Sequence, residues 1–151
     1  MMFAFAILCI LAVLAAIDLL STTTDEVSVS LPAADDPMTT ADEIEARQIE
    51  ATTAAIDTVR SMDLTARQVR VASYAVDQIL TVAFAPARVA ALSGFQCPEL
   101  QYEALYLTDL ARCAPEAAQG AYRALVRDLA PASVLRFIES LAIANGLTVS
   151  A

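Results

Sequence analysis

The sequence predicts an all-α protein: an N-terminal single transmembrane or signal-anchor helix, an acidic linker, and a compact bundle of about five helices. Three observations carry this reading. Residues 2–17 form an unbroken apolar run. Alanine is the commonest residue and glycine occurs only three times, a composition that favours helix because alanine loses no side-chain entropy on becoming helical. From Thr39 onward, apolar residues recur three and four positions apart, between prolines and short turn signals.

The first element is "MMFAFAILCILAVLAAIDLL". At about 1.5 Å per residue, a helix of this length spans roughly 30 Å, the hydrocarbon thickness of a bilayer. Asp18 then falls near the far interface, where a carboxylate reaches water. A soluble core helix would carry a polar face, and none is present before Asp18. A cleaved signal peptide needs a basic start and small residues before the cut. The start has neither Arg nor Lys, and Val13-Leu14-Ala15 is a mediocre cleavage site. Leu8 ahead of Cys9 argues against a lipid-modified cysteine. The expectation is therefore an uncleaved anchor over residues 1–20, with secretion after signal cleavage as the alternative. Ala4, Ala12, Ala15 and Ala16 are small enough to let another membrane helix approach closely, or they contact lipid. The acids Asp18, Asp25 and Glu26 all follow the apolar run, so the C-terminal part is expected outside the cytoplasm, in a bacterial periplasm.

Residues 21–37 mix Ser, Thr, acids and prolines without a helical period, and read as a solvated linker. Val27, Val29 and Leu31 alternate with serines and would also suit a short strand. Residues 38–151 are then the extracytoplasmic bundle, large enough to bury a core without staples.

Its first helix is expected from Thr40, with Glu43 completing a capping box. Glu43 and Arg47 are spaced to pair, and Ile49, Thr52, Ile56 and Val59 form a narrow apolar stripe. The second opens near Asp63 or Thr65 and runs to Phe84. Val69, Ala72, Val76, Ile79 and Ala83 face inward, with Arg67, Arg70, Tyr74, Asp77 and Thr81 opposite. Its broad apolar surface marks it as central. Pro86, Pro98, Pro115 and Pro131 each precede a helical run, and proline suits a first turn because its missing N–H has no partner there. Pro86 is expected to open a short helix ending at Ser93-Gly94. Pro98 opens one with Leu100, Ala104, Leu107 and Ala111 inward. Pro115 opens one with Ala118, Tyr122, Leu125 and Leu129 inward. Pro131 opens the last, with Leu135, Ile138 and Leu141 inward, stopping at Asn145-Gly146.

Composition excludes more chemistry than it suggests. The net charge is −9, all nine cations are Arg, and there is no His. Nucleic acid is disfavoured, because binding it needs cations that displace phosphate counterions. Without His there is no Ser-His or Cys-His pair and no usual zinc site. Without Lys there is no Walker A loop or Schiff-base lysine. No catalytic residue, cofactor or metal site is therefore expected. Cys97 and Cys113 would form a disulfide outside the cytoplasm. One continuous helix over residues 98–112 would instead hold them more than about 20 Å apart, against a limit of roughly 7 Å. A break near Thr108-Asp109 would permit the bond. Separate thiols, or a bridge to a partner, are the alternatives.

"LTARQ", Leu64 to Gln68, resembles the LTxxQ motif of periplasmic helical stress proteins of the Spy/CpxP type, where it opens a helix. The resemblance covers these five residues and occurs once, whereas that family typically carries the motif twice. The family's basic concave surface has no counterpart in this acidic chain. Thr65 and Gln68 also form an ordinary helix cap.

The function expected is a non-catalytic, membrane-anchored accessory or assembly subunit of a membrane protein complex. It would meet lipid through the N-terminal helix and other subunits through its surfaces. The alternative is a helical binding module for an apolar ligand or unfolded chains, with Tyr102, Tyr106, Tyr122 and Phe137 lining the ligand or partner surface.

Overall fold

The computed structural model describes residues 37–151. The segment expected to cross the membrane, with Ala4, Ala12, Ala15 and Ala16, lies outside the described residues, as do linker residues 21–36. Among the described residues there are four α-helices and no strand: α1 (Pro37–Arg60), α2 (Ala66–Ser93), α3 (Pro98–Arg127) and α4 (Ala132–Ala144).

About five helices were expected from six helical runs; among the described residues these runs form four helices, because Pro86 lies inside α2 and Pro115 inside α3. An interior proline removes one helical hydrogen bond and crowds the carbonyl four residues earlier. Here both rings point to solvent. The apolar seam runs on past them, through Ala85 and Leu92 on α2 and through Ala114 and Ala118 on α3. Packing across the seam holds each helix in one piece. Pro98 and Pro131 behave as expected, at the first turn of α3 and at the N-cap of α4. α1 also starts earlier than expected. It is already helical at Pro37, so Thr40 sits within the helix rather than at its cap.

Two clusters fix the helix directions. Ala41 at the start of α1, Leu92 at the end of α2, and Ala104 and Leu107 near the start of α3 pack together. Val59 at the end of α1, Ala72 to Leu80 early in α2, and Ala118 to Leu125 late in α3 share the larger cluster. Successive helices therefore run antiparallel, as their short connections require. α4 folds back on the larger cluster and buries Val134, Ile138 and Ala142 there. By length and composition α2 is apolar enough to cross a membrane. In this fold its Ala72, Val76 and Ile79 are fully buried between neighbours.

Several inward assignments hold, and three change. Ile49 is 59% exposed, since α1 meets the bundle through Val59 and Ile56 instead. Thr81, assigned to the outer face of α2, is buried, because α2 has helices on several sides. Leu129, assigned to the core, is 88% exposed. It lies just past the end of α3 with φ 51°, in the left-handed region.

α3 and α4 terminate in the same way. After α3 the Ala130 N–H donates back to the Leu125 carbonyl (3.0 Å), and after α4 the Leu147 N–H donates to that of Ala142 (2.8 Å). Each reversal needs one left-handed residue. After α4 this is Gly146 (φ 74°), and after α3 it is Leu129. A Cβ in that conformation crowds the following carbonyl and costs about 1–2 kcal/mol. Leu129→Gly is therefore expected to raise stability by about 1 kcal/mol in denaturant titration, since the leucine side chain has little packing to lose.

Candidate functional site

The four aromatic residues expected to line one surface do not come together. Tyr122 is buried and Phe137 half-buried, and both belong to the larger core. Tyr102 and Tyr106 lie on the outer face of α3, 74% and 60% exposed. Leu105 stands beside them at 66%, a residue the sequence reading did not single out. Its signal was an apolar side chain on the polar face of the helix that Pro98 opens. Cys113, two turns beyond Tyr106, is exposed on the same face.

Cys97 is the N-cap residue of α3 and Cys113 lies within that unbroken helix. Both thiols are free. The helical rise separates them by about 24 Å, so no bridge joins the two within one copy. The Cys97 thiol instead donates to Glu99 (2.8 Å). That bond, followed by the backbone N–H of Glu99, holds the Glu99 carboxyl below its usual range.

The two best-formed depressions are shallow and open, about 250 Å³ and 220 Å³. Ligand pockets that bury a small molecule usually run about 300–1,000 Å³. The smaller depression, lined by Ala85, Pro86, Val89, Thr108 and Ala111, lies along the α2–α3 seam beside a proline. Among the described residues no three acidic, Cys or His side chains cluster as a metal site.

Three polar ties hold the helices in register. The first is the LTARQ segment. The Thr65 side chain accepts from the Gln68 N–H (3.2 Å), and the Gln68 side chain accepts from the Thr65 N–H (3.0 Å). The Gln68 amide also donates to the Asp128 carbonyl at the end of α3 (3.0 Å), and Arg67 pairs with the Asp128 carboxylate (2.8 Å). The motif thus joins the start of α2 to the end of α3.

The second tie is Arg88, which the sequence shows as a lone charge in the run "APARVAALSG". Its side chain is only 13% exposed. It reaches Glu45 on α1 (3.0 Å) and Glu103 on α3 (3.4 Å), and donates to Gln48 (3.4 Å). One guanidinium therefore joins three helices. The glutamates are nearly half exposed, so water screens much of the attraction. Arg88→Ala is expected to cost about 1–2 kcal/mol in urea unfolding, since it leaves two carboxylates facing each other.

The third tie is Tyr122, whose hydroxyl donates to Glu139 on α4. That hydrogen bond, then burial, then the Glu139 charge push the tyrosine up to about 12 from an ordinary 10.0. A folded-state value above the unfolded one makes this contribution complete below pH 10, and it is lost as pH rises towards 12. An absorbance titration is expected to show a tyrosine step near 12 that Tyr122→Phe removes. The same substitution should flatten the loss of stability over that range.

No protein-family model, curated protein or solved structure matches the chain.

Proposed function

We propose that this chain is a non-catalytic, membrane-anchored accessory or assembly subunit, whose helical bundle docks outside the cytoplasm through the outer face of α3. The observation that carries the reading is the exposure of Tyr102, Leu105 and Tyr106 on one helix of an otherwise filled bundle. Aromatic side chains exposed together mark contact surfaces, because they bring large apolar area at low entropic cost.

The apolar run of residues 2–17 supplies the anchor in this reading, and the acidic Ser/Thr/Pro linker joins it to the bundle. A net charge of −9 disfavours contact with anionic headgroups and turns the docking face towards protein. Both depressions are open to solvent, which suits a docking surface better than the enclosure of an apolar ligand.

The test is mild detergent extraction of the native membrane, followed by mass measurement of what co-purifies at native size. The chain is expected in the membrane fraction, inside a larger assembly. Tyr102→Ser combined with Leu105→Ser should lower recovery of that assembly by about tenfold while helical circular dichroism stays unchanged. Recovery of the unmodified chain as a lone monomer in the soluble fraction would refute the proposal.

A further inference from the structure

Resting on that reading only in taking the outer face of α3 as a docking surface, we propose that its occupant is a second copy of this chain. The two α3 helices pack antiparallel about a two-fold axis at Cys113.

The seam has the spacing such a pair needs. Tyr102, Tyr106, Asp109, Cys113, Glu116 and Gly120 follow one another at alternating steps of four and three. A 3.5-residue period keeps one stripe turned towards a partner helix. All six residues are exposed in a single copy.

The stripe is also asymmetric in size. Its bulky side chains, Tyr102, Leu105 and Tyr106, all lie before Cys113. Gly120 lies after it, in mid-helix, where only proline is a poorer helix former. A Cβ at Gly120 would meet nothing within 4 Å, so nothing inside one copy requires glycine there. Tyr106 and Gly120 lie seven residues on either side of Cys113. An antiparallel pair therefore places the ring of Tyr106 over the bare backbone of Gly120 in the other copy. A parallel pair would set tyrosine on tyrosine.

Charge follows the same division. The exposed acid Glu99 lies fourteen residues before Cys113 and the exposed cation Arg127 fourteen after it, with Arg123 also exposed on that side; nearer the axis Asp109 is already paired with Arg112 (2.9 Å). Neither Arg123 nor Arg127 has an ion-pair partner among the described residues. Antiparallel packing about Cys113 sets Glu99 of each copy over Arg127 of the other, and it lays Arg123 near the tyrosine rings, where a guanidinium is attracted to the π face. Near the axis, Glu116 of each copy comes within reach of Arg112 of the other. The arrangement is isologous, so it closes on two copies.

The test uses the full chain carrying Cys9→Ser and Cys97→Ser, so that Cys113 is its one thiol, extracted in mild detergent. Light scattering should report a dimer. Diamide, which takes the two thiol hydrogens as the S–S bond forms, should link Cys113 to Cys113 on a non-reducing gel. Gly120→Trp enters open space in a single copy, and should lower the cross-linked yield by at least about tenfold with unchanged circular dichroism. Arg127→Glu should also lower the yield, and adding Glu99→Arg should restore the link. A monomeric mass without cross-link, or a cross-link indifferent to both Gly120→Trp and the charge reversals, overturns the second-copy assignment. If a monomeric chain still loses its co-purifying assembly on Tyr102→Ser with Leu105→Ser, the docking reading stands and the second copy alone falls. If it keeps that assembly, both fall.

Discussion

Burial of α2 among the other described helices is the interaction on which this fold depends. Val76 and Ile79 are wholly removed from water, and α2 packs on each of the other three described helices. Many of the residues it meets are alanines: Ala114, Ala118 and Ala121 on α3, and Ala142 on α4. Small side chains let helix axes approach closely, so the core gains dispersion contacts over the whole seam rather than from a few large groups. One other feature follows: the seam is long enough to carry α2 through Pro86 and α3 through Pro115.

Polar groups then choose among the packings an alanine-rich seam would accept. Such seams specify register weakly, since one small residue resembles the next. Gln68 reaching the end of α3 and Tyr122 meeting Glu139 on α4 each fix one helix pair at one level, and Arg88 on α2 fixes α1, α2 and α3 together. They are spread along the bundle, so a slip of any helix by one turn breaks at least one of them. Their value lies in selecting one arrangement more than in lowering its energy.

Several local signals are legible in the sequence, although the Thr40–Glu43 capping box is not one of them, since the helix already runs from Pro37; signals that depend on distant neighbours are not. The Thr65–Gln68 cap, the start of α3 at Pro98 and the turn at Asn145-Gly146 are visible because the residues that make them are adjacent in the chain. Pro86 and Pro115 were misread because a proline that opens a helix and one inside a helix look alike until the packing on either side is known. Leu129 was assigned inward by periodicity, which cannot register that the helix has ended two residues earlier. The four aromatic residues were grouped by type. Only the fold separates Tyr122 and Phe137, which fill the core, from Tyr102 and Tyr106, which face away from it. Leu105 and Arg88 were legible as exceptions, an apolar residue on a polar face and a charge in an apolar run, but the role of each rests on residues far away in sequence.

The two apolar clusters are unequal, and this grades the molecule along its length. The larger one gathers the end of α1, the first half of α2, the last third of α3 and all of α4. The smaller rests on Ala41, Leu92, Ala104 and Leu107. Between them the α2–α3 seam passes Pro86 and the groove beside it, where helical hydrogen bonding is already thinned. Amide protons at the Leu92 end therefore exchange with solvent through smaller openings than those around Ile79. The protein is built as a firm base with a looser tip, and the tip carries Tyr102 and Tyr106.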